Sequence, residues 1–262
     1  MSAALALSAC LDSYRTNFKP ALARAAQDGF RACEADTLSP DFDPADFPHS
    51  AQRHLSRHLA QLGLGLDTIS AAFPGRGLAD PECAEQRLAH LRSAMNLAAA
   101  IHVPHASTTL SGFDQDRSRP LALELLKEVA DLADRAGVAL AIHATDADPA
   151  HLAAAVDTLR CPALRIGLDL ARVANLTALR GVPLGSVYCR DVLRTADGIE
   201  EVEFGRGSVD FESALGLLSE NAYDGALTIR RDAPGEPQHA LRQGRAFIEA
   251  LLARGANQRQ CR

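Results

Sequence analysis

Short apolar runs recur eight times along this chain at intervals of about 30 residues, and each precedes a helical pattern that ends at Gly or Pro. The runs begin at Leu5, Arg31, Leu64, Pro104, Val138, Leu164, Leu184 and Gly225. A strand followed by a helix, repeated eight times, is the spacing of a closed (β/α)8 barrel. The length of 262 residues matches the roughly 250 of one such barrel. We therefore predict a single α/β domain over residues 1–262.

The helical patterns differ in strength along the chain. A typical one places Leu125, Val129 and Leu132 on one face before Gly137, which is a favourable residue at the end of a helix. The weakest follows the sixth strand, between Val173 and Leu179, where we expect only a turn or two.

Charge and cysteine content exclude several classes of protein. The formal net charge is -6, which argues against a nucleic-acid surface. The six cysteines are scattered and form no CxxC pair, as in a protein with reduced thiols. No apolar run approaches the length of a membrane span. We expect a cytoplasmic protein with no membrane or nucleic-acid partner, and we leave a homo-oligomer open.

Alternation within the strands predicts which side chains face the barrel axis. In the fifth strand the bulky Leu140 and Ile142 alternate with Ala141 and His143. The bulky set should face the helices, so the small and polar set should face the axis and end at the C-terminal mouth, where such barrels carry their active sites. By this parity, the side chains expected to converge at the mouth are Glu34, His143, Asp169, Tyr188 and Arg230.

Several stretches of the sequence together resemble one known family. The most specific are YCRD at 188–191, FGRGSVDF at 204–211 and YDGAL at 223–227. With GFRACE at 29–34 and GVALAI at 137–142, they resemble the xylose isomerase-like TIM barrels. This sugar phosphate isomerase/epimerase superfamily also includes hydroxypyruvate isomerases and AP endonuclease type 2 proteins. The resemblance covers nearly the whole chain.

The resemblance implies a metal-assisted isomerisation whose ligands this sequence mostly lacks. Family members usually bind a divalent metal through a Glu ending strand 5, an Asp ending strand 6, a His from strand 7 and a Glu ending strand 8. The matching positions here are His143, Asp169 or Ala171, Tyr188 and Arg230, while Ser70 and Thr109 stand where relatives often have His at strands 3 and 4. A guanidinium cannot ligate a metal. We therefore expect no cofactor and disfavour a divalent metal.

Arginines are concentrated after the seventh and eighth strands, where barrels of this type commonly bind phosphate. They are Arg190, Arg206, Arg230 and Arg231. One interpretation is a pocket for an anionic small molecule, because guanidinium groups bind carboxylate and phosphate in bidentate geometry. The other is internal pairing with the carboxylates Glu34, Asp169, Asp191 and Asp232. The sequence leaves both open, and it predicts that Arg230 lies near Asp169 or Glu34 in place of a metal.

Two functional hypotheses follow. The first is an isomerase- or epimerase-like enzyme for a small anionic sugar, hydroxy acid or phosphate ester, with His143 or Glu34 transferring the proton and the arginines, Asp169 and Tyr188 binding substrate. The second is a non-catalytic relative that binds a ligand or serves as a partner subunit. AP-endonuclease activity is disfavoured, because it would require a cluster of several metals.

Overall fold

Eight parallel strands close into one barrel in the computed structural model, which describes residues 5–114, 116–144, 149–173, 175–195 and 198–260. Numbered in chain order with the two strands of a separate hairpin, β8 and β9, they are β1 (Leu7–Cys10), β2 (Ala32–Asp36), β3 (Gly65–Ala71), β4 (His105–Leu110), β5 (Ala139–Ala144), β6 (Leu164–Asp169), β7 (Leu184–Cys189) and β10 (Leu227–Ile229). Their order around the barrel is β1, β10, β7, β6, β5, β4, β3, β2. Each strand begins within two residues of its predicted start, which confirms the predicted fold.

Helices follow most of the strands and cover the outside of the barrel. They are α1 (Phe18–Gln27), α2 (His49–Leu62), α3 (Ala84–Ala100), α4 (Arg119–Ala136), α5 (Pro149–Leu159), α6 (Phe211–Glu220) and α7 (Pro237–Gln260). Gly63 and Gly137 end α2 and α4 with positive φ angles of 65° and 63°, which glycine adopts without the steric cost of a Cβ. After β6 the chain forms only a 3-10 turn at Leu176–Leu179, as the weak pattern there predicted.

A two-stranded antiparallel hairpin, β8 (Asp191–Thr195) and β9 (Gly198–Val202), follows β7. Sequence analysis did not predict it. The reason is its exposure: both strands are short, and their apolar residues Leu193 and Ile199 are 40% and 48% exposed. No run of buried alternate residues therefore marks it as a sheet.

Alternation within the barrel strands separates an outer core from the barrel interior, as predicted. Leu140 and Ile142 of β5 are fully buried in the apolar layer against the helices. Ala141, which lies between them in the sequence, points into the barrel. A Cβ built on Gly185 of β7 would lie 3.1 Å from the Cβ of Ala141, and β5 and β7 are not adjacent strands, so the two positions meet across the barrel interior. Among the described residues, no helix combines the length and apolar character needed to cross a bilayer.

Candidate functional site

A small cavity lies at the end of the barrel where the parallel strands have their C-terminal ends. Its volume is about 160 Å³, less than the 300–1,000 Å³ typical of pockets for drug-sized ligands. Four carboxyl groups and three guanidinium groups are among its lining side chains. The lining residues are Cys10, Asp12, Ser13, Arg15, Glu34, Asp36, Ser70, Ala72, Arg230, Arg231 and Asp232. The cavity therefore suits a small polar molecule.

Glu34 is the most deeply buried carboxyl group of this cavity. It lies near the end of β2 and is 3% exposed. The hydroxyl of Tyr188 donates a hydrogen bond of 2.7 Å to Glu34 Oε1, whereas the buried Oε2 has no partner among the described residues. Burial raises the pKa of Glu34 to about 8, although the hydrogen bond from Tyr188 and the charge of Arg230 lower it. A carboxyl group with this pKa exchanges a proton readily near neutral pH.

Two further carboxyl groups, Asp12 and Asp36, share the cavity with Glu34. Burial raises the pKa of both, to about 7 for Asp36, and the charge of Asp12 also raises the pKa of Asp36, less strongly than burial does. Sequence analysis missed these residues. Asp36 could have been found, because it lies two residues beyond Glu34 on the same strand and so shares its inward parity. Asp12 lies in a 3-10 turn after β1 (Leu11–Tyr14), beyond the reach of strand parity.

His143 supports Tyr188 from below rather than lining the cavity. The two rings stack with centroids 4.4 Å apart and planes within 9° of parallel. His143 Nε2 lies 3.3 Å from the hydroxyl of Ser186. Burial lowers the pKa of His143 to about 4, so its imidazole is neutral at physiological pH. This geometry makes His143 a positioning residue for Tyr188, and through Tyr188 for Glu34.

Gly167 on β6 provides the space for the His143 ring. A Cβ at this position would clash with three atoms of the ring. We expect Gly167→Ala to lower the free energy of unfolding by about 1–3 kcal/mol and to displace the ring from Tyr188. Urea unfolding measures the first effect, and the His143 and Tyr188 ring signals in NMR measure the second.

The matched control for this substitution is Gly216→Ala. Gly216 lies within α6, and a Cβ there would have no other atom within 4 Å. Because alanine favours helix, we expect this variant to be as stable as the wild type or more so. Equal stability of the two variants would contradict the packing of His143 on Gly167.

Arg230 follows β10 and extends over the face of Tyr188. Its Cζ lies 5.0 Å from the centre of the Tyr188 ring, and its Nε donates to Asp232 Oδ1 at 2.8 Å. The sequence predicted Asp169 or Glu34 as its carboxylate neighbour. Glu34 does line the same cavity as Arg230, whose charge lowers the pKa of Glu34. The carboxylate that Arg230 binds directly is Asp232, two residues further along the chain, whereas Asp169 accepts from a different arginine.

That arginine is Arg190, which binds three carboxylates at the rim of the barrel. Its Nε lies 3.1 Å from both oxygens of Asp169, and its Nη1 lies 3.0 Å from Asp232 and 3.8 Å from Glu201. Asp169 is the last residue of β6, whereas Ala171 lies in the turn beyond it. Of the two residues considered for the end of strand 6, Asp169 is therefore the one on the strand. Asp169 and Arg190 form an ion pair.

The other two arginines of the predicted cluster are also paired. Arg231 Nη1 donates to the carbonyl of Val202 at 2.7 Å and lies 3.5 Å from Glu201. Arg206 is largely exposed and pairs with Glu203. Arg190 and Arg231 therefore show internal pairing, the alternative to an anion pocket, whereas the pair of Arg206 lies on the surface. Arg230 and Arg231 both line the cavity. Within the described residues, both Nη1 and Nη2 of Arg230 donate to no protein atom, whereas Arg231 is held through Nη1.

Asp191 fixes the conformation of the stretch at 204–211, one of those that resemble the family. Its carboxylate is 2% exposed and accepts hydrogen bonds from the backbone of Val192, Gly205, Gly207 and Val209, at 2.8 to 3.3 Å. Glycine is needed at 207, because a Cβ there would clash with this carboxylate. The stretch is therefore a structural loop held by Asp191, and Asp191 does not pair with the arginines.

The strand-end residues do not fit a divalent metal. Arg230 has no lone pair to offer, Asp169 is bound by Arg190, and His143 is stacked on Tyr188 beside Ser186. Across the described ranges of the chain, no group of three His, Cys, Asp or Glu side chains has an arrangement that could bind a metal ion.

The fold and the position of this site agree with the sequence relationship of the chain. It belongs to the xylose isomerase-like TIM barrel family, whose profile matches residues 22–251. No curated protein matches the sequence.

Solved structures show the same fold at low sequence identity. A xylose isomerase domain protein from Planctomyces limnophilus has 19% identity and a TM-score of 0.80, with 97% of this chain and 98% of that chain covered. The IOLI protein with a bound zinc atom has 15% identity and a TM-score of 0.79, with 95% and 99% covered. A D-tagatose 3-epimerase-like protein has 15% identity and a TM-score of 0.77, with 97% and 99% covered.

Proposed function

We propose that this protein is an isomerase- or epimerase-like enzyme that acts on a small anionic sugar or hydroxy acid in the cavity at the C-terminal mouth, without a divalent metal. The observation that carries the proposal is the buried carboxyl group of Glu34, which lines the cavity and whose Oε2 has no partner among the residues that the structure describes. A buried polar atom without a partner is costly unless a ligand or water satisfies it.

Glu34 is the group that transfers the proton. A substrate with a hydrogen on the carbon next to a carbonyl group loses that hydrogen as a proton to Oε2, and the electron pair moves onto the carbonyl oxygen. Isomerisation results when Glu34 returns the proton to the former carbonyl carbon and the hydroxyl hydrogen of the first carbon passes to the oxyanion. Epimerisation instead requires a second acid to give a proton to the opposite face of the first carbon while Glu34 keeps the proton it took. Asp12 and Asp36 line the same cavity and are placed for that role. The Tyr188 hydroxyl holds Oε1, and His143 fixes Tyr188 by stacking. Of the two residues proposed for proton transfer, the cavity therefore favours Glu34.

The cavity also limits the size and charge of the substrate. A volume of about 160 Å³ favours a hydroxy acid or a single sugar over a larger ester. Arg190, Arg206 and Arg231 are paired with protein carboxylates. Arg230 binds Asp232 through Nε, and within the described residues both of its Nη groups are left without an acceptor for a substrate to meet. A single carboxylate or carbonyl oxygen facing Arg230 matches this arrangement.

The test is solvent deuterium exchange. We would incubate the protein in D2O with ketoses and aldoses of three to six carbons and with 2-hydroxy and 2-oxo acids, and follow loss of the carbon-bound proton by NMR. We expect exchange with at least one compound. Glu34→Gln keeps the size of the side chain but cannot accept the proton, so its rate should fall about 100-fold or more.

The control variant is Glu220→Gln, which removes a carboxylate that pairs with Arg180 on the surface. It should exchange at the wild-type rate. If some compounds bind in calorimetry but none exchanges, the protein is the non-catalytic ligand-binding relative instead. Exchange that survives in Glu34→Gln would overturn the assignment of Glu34.

A further inference from the structure

We propose that the guanidinium of Arg230 takes the place of the family's metal ion as the fixed positive charge that binds the substrate oxygen. This inference rests on the proposed function, since it names the group that faces the oxygen while Glu34 moves the proton. Two observations raise the question. The chain has a xylose isomerase-like barrel, one of whose structural neighbours holds zinc, yet its own strand ends do not fit a metal.

The backbone of Arg230 is fixed by the barrel. Its N–H donates to the carbonyl of Cys189 at 3.1 Å, which continues the pairing of β10 with β7 by one residue. The side chain therefore starts from a rigid strand end, at the position where the sequence resemblance places a glutamate ligand. A rigid origin is what a preorganised electrophile requires.

Two contacts then fix the orientation of the guanidinium group. Asp232 binds Nε at 2.8 Å, and the Tyr188 ring lies under Cζ at 5.0 Å. Neither contact uses Nη1 or Nη2. The side chain is 30% exposed and lines the cavity. Arg230 thus lines the cavity with both of its NH2 groups free of protein acceptors among the described residues, while its Nε edge and one face are held by the protein.

The unpaired groups of the cavity complement one another. The described part of the chain offers no partner to Glu34 Oε2 and no acceptor to Arg230 Nη1 or Nη2. A hydroxycarbonyl compound matches both, with its oxygen on the guanidinium and its carbon-bound hydrogen toward the carboxyl group. When that hydrogen leaves as a proton, the oxygen becomes negative. Arg230 then neutralises this charge by two charge-assisted hydrogen bonds, as a metal would by coordination.

The first experiment measures binding and needs no knowledge of the substrate. Calorimetric titration of the wild type with Mn²⁺ or Zn²⁺ should show no one-to-one binding. Titration with oxalate, a planar oxyanion that mimics the enediolate, should show binding that falls at least tenfold in Arg230→Met and less in Arg230→Lys. Tight one-to-one metal binding that is lost in His143→Ala or Asp169→Asn would overturn the proposal, and so would oxalate binding that is equal in Arg230→Met.

The second experiment measures rate. Exchange by the wild type should be unchanged by EDTA. Arg230→Ala should exchange about 100-fold more slowly, and added guanidinium ion at millimolar concentration should restore part of the rate, because it can occupy the space left by the side chain. Arg180→Ala, which removes an exposed arginine paired with Glu220, should show neither loss nor rescue.

The two proposals fail differently. If the wild type exchanges no compound but binds oxalate through Arg230, the proposed enzyme activity is wrong and the assignment of Arg230 as the oxygen-binding cation stands. If the wild type exchanges protons only after a metal is added, or if Arg230→Ala exchanges at the wild-type rate, the assignment of Arg230 is wrong and the proposed reaction stands.

Discussion

Asp191→Ala is expected to lower the free energy of unfolding by about 4 kcal/mol, because it leaves four buried or half-buried backbone N–H groups without an acceptor. In the wild type these are the N–H groups of Val192, Gly205, Gly207 and Val209. An unsatisfied buried donor costs about 1–3 kcal/mol, and water entering the loosened loop would compensate for part of the sum. Urea unfolding at fixed pH measures the loss.

Asp210→Ala is the matched control for this prediction. Asp210 lies in the same loop and its carboxylate also accepts a backbone hydrogen bond, from Ser213 at the start of α6. It is an exposed helix cap, so its loss should cost only about 1 kcal/mol. Equal losses in the two variants would show that Asp191 does not organise the loop at 204–211.

The barrel was predictable from the sequence because its signal is repeated. Each strand contributes a short apolar run with small alternate residues, and eight repeats at one spacing fit few other folds. The same parity predicted that Glu34, His143 and Tyr188 meet at one end of the barrel, and the ring stack and the hydrogen bond between them confirm it. The roles of these residues in a reaction stay predictions.

The pairing of charges could not be predicted in the same way. Whether Arg190 or Arg230 binds Asp169 depends on differences of a few ångströms between side chains on adjacent strands, which strand parity does not determine. The carboxylate of Glu201 forms ion pairs with both Arg190 and Arg231. Glu201 lies in a hairpin whose sequence has no periodic apolar pattern. The sequence therefore left the anion pocket and the internal ion pairs as open alternatives. In the structure all four arginines pair with a carboxylate, and Arg230 does so through Nε alone.

The stability of the wild type is expected to fall between pH 7 and 8.5 by about 1 kcal/mol more than that of Glu34→Gln. In the unfolded chain Glu34 ionises near its ordinary pKa of 4.5, whereas burial raises the pKa to about 8 in the folded protein. Between these values the unfolded state binds fewer protons than the folded state, so a rise in pH favours unfolding. The contribution is complete below pH 4.5 and is lost as the pH rises through 8.

Asp36 and Asp67 act in the same direction at lower pH, since burial raises their pKa values to about 7 and about 6. Asp67→Asn is therefore the comparison: it should flatten the stability profile below pH 6 and keep the fall in stability above pH 7. That fall should move to somewhat lower pH, because the charge of Asp67 raises the pKa of Glu34. Urea unfolding of the three proteins at half-unit pH intervals gives these slopes. Subtracting the wild-type free energy of unfolding from that of each variant removes the contributions of titrating groups that all three proteins share.

Parallel profiles for the wild type and Glu34→Gln above pH 7 would mean that Glu34 is ionised in the folded protein. It could then accept a proton from a substrate but would not hold one near neutral pH, and the return of that proton would need another donor in the cavity, for which Asp36 is placed.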